Sequence, residues 1–426
     1  MVKLGVHMRK MKDSGLDIVG QMPNEWNFVR LRYLCNITTG NSDTQDADPD
    51  GEYLFYVRSP IIERSTKYTF DGEGILMAGD GAGAGRVFHH AFGKYAVHQR
   101  VYRLYNFKIN SNFLFYYVSN LFPSVMDKGS AQSTVPSVRL PMLLNFEVCT
   151  PPLLEQKKIA DFLDEKCGEI DSIKADVQRQ IELLNDYKKS VITEAVTKGL
   201  NPKAKLKDSG IEWIGRIPEY WEVKKTKYCF EFGKGLPITK ENLEDSGISV
   251  ISYGQIHSKQ NNGTSVNSSL IRFVNESYLR TNPLSLVHKN DFIFADTSED
   301  LDGCGNCVYI DTKEPIFAGY HTIIFRSKQP DAKYFAYLFL TDCWRSQIRK
   351  VASGVKLFSI TQKILKETSV IIPPLSEQKE IANYLDDKCT EIDAVIADKQ
   401  KQLETLDEYK KSLIFEYVTG KKEVAQ

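Results

Sequence analysis

Apolar residues recur with a period of seven along two long stretches of the chain, and this pattern predicts a long helix in each. The first stretch runs from Glu155 to Lys198, which as a helix is roughly 65 Å long at 1.5 Å per residue. A Pro-Pro pair precedes each stretch, where the missing N–H of proline costs a helix nothing. Gly199 followed by Pro202 is an ordinary helix stop signal, and no proline or glycine interrupts the second stretch before Gly420.

The apolar positions of each predicted helix form a seam, interrupted by lysine and glutamine, that is typical of a coiled coil. Two matching seams in one chain are self-complementary, so we expect the helices to pair antiparallel as a rigid spacer. The alternative is that each is an independent amphipathic surface helix. The predicted seam residues are Ile159, Leu163, Ile170, Ile173, Val177, Leu184 and Tyr187 in the first helix, and Ile381, Leu385, Ile392, Val395, Leu406 and Tyr409 in the second.

The two helices belong to a larger internal repeat. Pro151-Pro-Leu-Leu-Glu-Gln156 returns as Pro373-Pro-Leu-Ser-Glu-Gln378, an offset of 222 residues. Upstream, Lys12-Asp-Ser-Gly15 with Trp26 returns as Lys207-Asp-Ser-Gly210 with Trp221, an offset of 195. The sequence between these repeated frames differs strongly. We therefore predict four segments: a domain at 1–150, a helix at 151–199, a longer domain at 200–372 and a helix at 373–426.

Short β-branched and aromatic runs bounded by turn residues predict strands in both domains. The fold class we expect is α/β, with two mixed α/β domains of one topology and internal pseudo-two-fold symmetry. The predicted strands are 53–58, 74–77, 95–104 and 146–150 in the first domain and 249–253, 291–295, 322–326 and 368–372 in the second; helices are predicted at 112–121 and 331–351.

Composition and charge place the chain among cytoplasmic globular proteins. It is 42% hydrophobic and 26% charged, its eight cysteines are scattered as expected of free thiols, and its apolar runs are too short to span a membrane. The net charge is zero, but its distribution is uneven. Residues 1–150 and 200–372 carry excesses of two and four basic residues, whereas 151–199 and 373–426 carry excesses of two and four acidic ones. The modest basic bias of the domains suggests that phosphate binding needs help from partner subunits.

The duplicated Lys-Asp-Ser-Gly…Trp frame, variable domain and Pro-Pro-Leu-x-Glu-Gln helix resemble the specificity (S) subunit of type I DNA restriction–modification systems, over essentially the whole chain. The resemblance implies that each variable domain is a target recognition domain for half of a split DNA sequence, and that the paired helices set the gap between the halves. It also implies a non-catalytic role in DNA methylation and host defence. The implied partners are double-stranded DNA, two methyltransferase (M) subunits that use S-adenosylmethionine, and nuclease/translocase (R) subunits that use ATP and Mg.

Polar residues in loops near strand ends are our candidates for DNA contacts. Arginine and glutamine can bridge two groups on a base edge, whereas lysine more often meets phosphate. For any one of them the alternative is a solvated surface residue. The candidates are Arg58, Arg64, Lys67, Arg86, His98, Gln99, Arg100, Ser130 and Gln132 in the first domain, and Lys234, Lys240, Tyr253, Gln255, His257, Thr297, Ser298, His321 and Lys356 in the second.

Other motifs in the sequence do not support catalysis. The glycine-rich loop 79–86 lacks the spacing of a phosphate cradle, and a turn that brings backbone close to DNA phosphate is about as plausible as a plain hairpin turn. Cys304 and Cys307 lack a second pair of metal ligands at sensible spacing, so we expect free thiols and no metal site. The Pro-Pro contexts do not match the signature of amino-methyltransferases. The second hypothesis for the whole chain is a coiled-coil scaffold or adaptor without a DNA-reading role.

Overall fold

The computed structural model describes residues 9–129, 136–354 and 357–424, and it divides into two compact units. Unit 1 comprises Met1–Gln178 and Gln400–Gln426, and unit 2 comprises Arg179–Lys399. Each unit therefore contains one variable domain, the beginning of one long helix and the end of the other. These helices are α3 (Leu153–Lys198) and α10 (Leu375–Val418).

Unit 1 carries two four-stranded sheets. The first has the order β6-β5-β10-β7 and includes a parallel pairing of β5 with β10; the second is antiparallel with the order β4-β11-β8-β9. The elements are β1 (Met11–Asp13), β2 (Gln21–Pro23), β3 (Asn27–Arg30), β4 (Asn36–Thr39), β5 (Tyr53–Tyr56), β6 (Glu63–Ser65), β7 (Phe70–Asp71), β8 (Gly74–Ala78), β9 (Phe88–Ala91), β10 (Lys94–Val97), β11 (Val101–Tyr105), α1 (Ser111–Gly129), α2 (Leu140–Leu144) and β12 (Glu147–Thr150), with 3-10 turns at Leu31–Tyr33 and Thr44–Asp46.

Unit 2 repeats this arrangement, with sheets of order β18-β17-β23-β19 and β16-β24-β20-β22 and a parallel pairing of β17 with β23. Its elements are β13 (Leu206–Asp208), β14 (Arg216–Pro218), β15 (Glu222–Lys225), α4 (Thr226–Cys229), β16 (Phe230–Lys234), β17 (Ile248–Ile251), α5 (Tyr253–Ile256), β18 (Arg272–Val274), α6 (Tyr278–Thr281), β19 (Leu286–Val287), β20 (Phe292–Ala295), β21 (Thr297–Ser298), β22 (Cys307–Tyr309), β23 (Ile316–Ala318), β24 (Thr322–Ser327), α7 (Lys333–Leu340), α8 (Asp342–Arg349), β25 (Phe358–Ser359), α9 (Gln362–Glu367) and β26 (Ser369–Ile372), with 3-10 turns at Lys240–Asn242, Ser268–Leu270 and Pro283–Ser285. The predicted shared topology of the two domains is confirmed.

Each variable domain begins and ends in the same two-stranded sheet. In unit 1, β3 pairs antiparallel with β12, so that Val29 lies opposite Val148. In unit 2, β15 pairs antiparallel with β26, so that Val223 lies opposite Ile371. The hydrogen-bonded ladder fixes both ends of the domain at one place, directly before the long helix begins.

The long helices are held by the cores of the units and by each other. In unit 1 the buried Leu163, Ile170 and Leu413 share a core cluster with the domain residues. The Nζ of Lys410 donates to both carboxylate oxygens of Asp171, at 2.6 and 2.7 Å, and Lys174 pairs with Asp407. As the residue number rises on α3 it falls on α10, so the helix ends in this unit run antiparallel.

Unit 2 contains the repeat-related ion pair, in which the Nζ of Lys188 donates to both carboxylate oxygens of Asp393 at 2.7 and 2.6 Å. Lys188 and Lys410 are 222 residues apart, as are Asp171 and Asp393, so one contact is built twice. The buried Ile192 and Leu385 belong to the core of this unit. These contacts agree with antiparallel pairing, although a coiled coil along the full seam remains a prediction.

The two sides of the predicted seam differ in their exposure to solvent. Ile173, Tyr187, Val395 and Tyr409, each three residues after another seam residue, are 50%, 51%, 44% and 55% exposed. The buried residues lie instead four positions after seam residues; they are Cys167, Ile181, Cys389 and Ile396. Positions three and four residues after a given seam residue lie on opposite sides of it around the helix, so each helix can turn only one of these sides inward. Lys166 and Gln180 interrupt the exposed side of α3, and Lys388 and Gln402 interrupt that of α10.

Two predicted elements are interrupted in the structure. The run 95–104 is two strands, β10 and β11, which belong to different sheets and are joined by a turn at His98–Arg100. The predicted helix 331–351 is divided into α7 and α8 at Thr341, which has extended backbone angles. In the part of the chain that the structure describes, no helix combines the length and apolarity that crossing a bilayer requires.

Candidate nucleic-acid interface

The Glu of the Pro-Pro-Leu-x-Glu-Gln motif attaches each variable domain to its helix. In unit 1 the indole Nε1 of the fully buried Trp26 donates to Glu155 at 3.1 Å, and Arg9 donates to both oxygens of the same carboxylate at 2.6 and 3.0 Å. In unit 2 the indole of Trp221 donates to Glu377 at 3.0 Å and the hydroxyl of Tyr220 donates to it at 3.1 Å. A buried indole N–H requires an acceptor, so Trp and Glu recur together in both frames.

The Gln of the motif closes the first turn of each helix. The side-chain amide of Gln156 donates to the Pro151 carbonyl at 2.8 Å, and that of Gln378 donates to the Pro373 carbonyl at 2.9 Å. Both glutamines are buried. The motif is thus a structural joint.

Three loops meet at one edge of the two sheets in unit 1. Loop A (57–62) follows β5, loop B (79–87) follows β8, and loop C (98–100) joins β10 to β11. The Gly79 amide donates to the Arg100 carbonyl at 2.8 Å, and the His98 amide donates to the Tyr56 carbonyl at 3.0 Å. These backbone bonds bring the three loops together although they are distant in sequence.

A carboxylate from loop B joins an arginine from each of the other two loops. The Arg58 Nη1 donates to Asp80 Oδ1 at 2.9 Å, and the Arg100 Nη1 lies 3.3 Å from Asp80 Oδ2. Both guanidinium groups are substantially exposed, whereas Asp80 is only 19% exposed. Two arginines are thereby held side by side at the protein surface.

His98, the first residue of loop C, is buried and holds the loop in place. Its Nδ1 accepts from the Arg100 amide at 3.0 Å, and its Nε2 lies 3.4 Å from the Thr44 hydroxyl. Burial lowers the pKa of His98, and the positive charge of Arg58 lowers it further. A neutral imidazole with the proton on Nε2 fits both contacts.

Unit 2 presents the same three loops with different residues. Loop A′ (252–257) follows β17, loop B′ (296–306) follows β20, and loop C′ (319–321) joins β23 to β24. The Asp296 amide donates to the His321 carbonyl at 3.1 Å, as the Gly79 amide does to Arg100, and His321 Nδ1 lies 3.2 Å from Asp296 Oδ1. The ring of Tyr253 lies 5.5 Å from that of His321.

A chain of hydrogen bonds supports these loops from beneath. The Arg345 Nη1 donates to Asn306 Oδ1 at 2.7 Å, and the Asn306 amide lies 3.1 Å from His257 Nδ1. His257 Nε2 lies 2.8 Å from the Thr297 carbonyl, which can only accept, so Nε2 carries the proton. Tyr253, His257 and Ser298 also line a cleft of about 510 Å³. His257 is a positioning residue beneath this surface.

The structure brings together some of the residues predicted to contact DNA and separates others. Arg58, His98, Gln99 and Arg100 converge in unit 1, as do Tyr253, His257, Thr297 and His321 in unit 2. The remaining residues lie elsewhere or serve the fold: Arg64 donates to the Gly51 and Glu52 carbonyls, Lys67 follows β6, Arg86 pairs with Asp127, Lys234 ends β16 beside the Thr322 strand, Lys240 lies on a 3-10 turn, Gln255 accepts from the Ser252 amide, and Ser298 is buried. Ser130, Gln132 and Lys356 lie outside the described residues.

Sequence reasoning missed the two carboxylates at the centre of these clusters, Asp80 and Asp296. Each comes one or two residues after a buried strand, so their positions at strand ends were a usable signal. The network partners Asn306 and Arg345 carried no comparable signal, because α8 comes to β22 only through the tertiary fold. The predicted free thiols agree with the structure. Cys304 and Cys307 are unpaired and buried, and burial raises the pKa of Cys307 to about 12.

The chain matches known proteins along most of its length. The model of the type I restriction modification DNA specificity domain matches residues 23–183 and 218–405. The MjaVIII specificity subunit of Methanocaldococcus jannaschii is 25% identical over 94% of both chains, and the EcoDI specificity subunit of Escherichia coli is 23% identical over 86% of this chain and 82% of that one. A solved chain from a study of assembly and conformational transition in the type I R-M system has a TM-score of 0.66 at 14% identity, covering 94% of this chain and 99% of that one.

The duplicated fold, with a polar loop cluster in each half, defines a recognition subunit that acts as a non-catalytic component of a larger assembly. The chain belongs to the type I restriction modification DNA specificity family. The predicted resemblance is thereby confirmed.

Proposed function

We propose that this chain reads a bipartite asymmetric DNA site, one half with each variable domain, and positions methyltransferase subunits on it. The observation that carries the proposal is the pair of loop clusters. Loops A, B and C of unit 1 and loops A′, B′ and C′ of unit 2 occupy equivalent places in one topology but present different side chains. Two copies of one reader with different contacts suit a site whose halves differ in sequence.

Within each cluster the exposed residues are the proposed DNA contacts. Arg58, Gln99 and Arg100 suit base edges in the first half-site, and Tyr253 and His321 suit those in the second. Outside the clusters, the positively charged Lys234 at the end of β16 suits the phosphate backbone. His98, His257 and Gln255 are proposed to hold the loops in shape.

The exposed side of the long helices offers a place for partner subunits. Ile173 and Tyr409 in unit 1 are related by the internal repeat to Val395 and Tyr187 in unit 2, and all four are exposed. Each unit therefore presents one isoleucine or valine and one tyrosine on its helix pair. We propose that one methyltransferase subunit docks at each pair, giving two per chain, and that the helices form a coiled-coil spacer between the half-sites.

The chemistry of the complex is assigned to its other subunits. S-adenosylmethionine is proposed to bind the methyltransferase subunits, and ATP and Mg to bind nuclease/translocase subunits, in the cytoplasm where chromosomal DNA is available. Among the described residues of this chain no group of three side chains is placed to hold a metal ion.

The test is a long-read methylome of a host without its own DNA modification that expresses this chain with its cognate methyltransferase subunit. We expect a split motif with methylated adenine on both strands. Exchanging residues 31–146 for those of a relative should change one half of the motif, and exchanging 226–368 should change the other. A soluble complex that produces no methylation and binds no DNA in a gel-shift assay would contradict the proposal and favour a scaffold.

A further inference from the structure

The two loop clusters differ most in their positive charge. Arg58 follows the paired residue Tyr56 by two positions, as Tyr253 follows Ile251. The Arg100 carbonyl accepts the same backbone bond that the His321 carbonyl accepts in unit 2. Unit 1 thus has arginine where unit 2 has tyrosine and histidine.

In unit 1 a largely buried carboxylate holds the cluster, and its two arginines are exposed to solvent. Asp80 receives the two arginines on separate oxygens, at 2.9 and 3.3 Å, and is itself 19% exposed, while Arg58 and Arg100 are 46% and 64% exposed. A guanidinium has five N–H donors, so each arginine keeps donors for a ligand after binding Asp80. Each oxygen of Asp80 likewise retains a lone pair.

We propose that Arg58, Asp80 and Arg100 read a guanine–cytosine base pair through the major groove, in the half-site of the first domain. This assignment rests on the proposed function. In that groove guanine presents the acceptors N7 and O6, and cytosine presents the N4 amino donor. Guanidinium donors beside a carboxylate acceptor match the acceptor–acceptor–donor order of this edge.

The carboxylate distinguishes this site from a phosphate contact. A phosphate offers only acceptors and negative charge, so an aspartate between the two arginines would repel it and weaken the attraction. On a base edge the same aspartate has a donor to accept. It also holds two guanidinium planes in place before DNA arrives, which reduces the entropy lost on binding.

The experiment measures the binding of the complex with its methyltransferase subunit to duplexes that contain the motif found in the methylome. Each guanine of the first half-site is replaced in turn by 7-deazaguanine, which lacks N7, or by inosine, which lacks only the minor-groove amino group. We expect 7-deazaguanine at one position to weaken binding roughly tenfold, as loss of one hydrogen bond to a charged donor does, while inosine has little effect. Arg58→Ala and Arg100→Ala should remove this sensitivity and relax the base preference at that position.

The controls separate base reading from general attraction. Arg30→Ala removes an exposed arginine of the same unit, on β3 beside Glu147, and should leave base preference unchanged. Uniform weakening on all sequences, with a salt dependence reduced by about one ion per arginine, would show phosphate contacts and overturn the assignment. So would a first half-site with no specified guanine–cytosine pair. A chain that binds no DNA at all would overturn the proposed function, and this assignment with it.

Discussion

At the scale of single residues, the loops depend on side chains that are buried beneath the surface they support. His98 accepts the Arg100 amide through Nδ1, and this bond requires a neutral ring. Because Arg100 comes from the same three-residue loop, protonating His98 would disturb the position of an arginine proposed to contact DNA.

Acidification should therefore destabilise unit 1. The pKa of His98 in the folded chain is below its ordinary value, as are those of His89 and His90. The unfolded chain therefore binds more protons than the folded chain when the pH is below about 6.5, the ordinary pKa of histidine. The free energy of unfolding is constant with respect to these groups above that pH. Below it, the free energy falls by at most about 1.4 kcal/mol per pH unit for each histidine until the pH reaches the pKa of the folded chain. Thermal melts from pH 7.5 to 5 should show a shallower loss for His98→Gln than for the wild-type chain. Identical slopes would contradict the role of His98.

At the scale of elements, the sequence was sufficient for the repeated frame but not for the parts that depend on tertiary contacts. The period of seven predicts both long helices, because an amphipathic pattern is a local property of the chain. The side of the helix that is buried is decided by its neighbour, so the exposure of Tyr187 and Tyr409 was missed. The turn at His98–Arg100 was also missed, because an uninterrupted apolar run gives no sign that its halves enter different sheets.

A glycine inside α3 and the glycine directly after it provide a matched pair for testing the helix. Gly168 lies inside α3 with open space around it, so Gly168→Ala should stabilise the chain by about 0.5–1 kcal/mol. Gly199 ends the helix at φ +73°, and an added Cβ would lie 2.8 Å from Glu377 Oε1 and 3.1 Å from the Trp221 ring. Gly199→Ala should destabilise the chain by more than about 1 kcal/mol. Urea unfolding of both variants measures the change in the free energy of unfolding. A Gly199→Ala chain at least as stable as the wild-type chain would contradict the joint at Trp221.

At the scale of the whole molecule, unit 1 is assembled from two separate parts of the chain, whereas unit 2 is one continuous segment that contains the end of α3 and the beginning of α10. Unit 1 needs residues from 400 onwards to complete its helix pair, and the ion pair between Asp171 and Lys410 has its duplicate in Asp393 and Lys188. The repeat means that either helix carries both halves of this contact.

A fragment of residues 1–199 should consequently form a homodimer. Its α3 retains Asp171 and Lys188, so two copies running antiparallel can form the ion pair twice and cover Ile170 of each other. Sedimentation velocity should give a dimer, and Lys188→Glu should shift it towards monomer, whereas the exposed Lys189→Glu should not. A stable monomeric fragment would contradict the self-complementary seam.

Partner stoichiometry tests the exposed side of the helices. The double variant Ile173→Ser/Tyr409→Ser changes unit 1, and Tyr187→Ser/Val395→Ser changes unit 2. All four residues are exposed, so each variant should melt near the wild-type temperature. Native mass spectrometry should show one methyltransferase subunit lost from each double variant and both lost when the two are combined. Two bound subunits in every variant would place the docking site elsewhere.

The closure of each variable domain by its first and last strands has a consequence for how such genes change. Everything between β3 and β12, or between β15 and β26, leaves the frame and returns to it at one point. A recombination event that replaces this interval leaves both the paired strands and the Trp–Glu contact unchanged. The new segment therefore enters and leaves the frame at the same place as the old one. Under the proposed function, a lineage that exchanges such a cassette changes the DNA half-site it reads in one step, with the rest of the chain inherited intact.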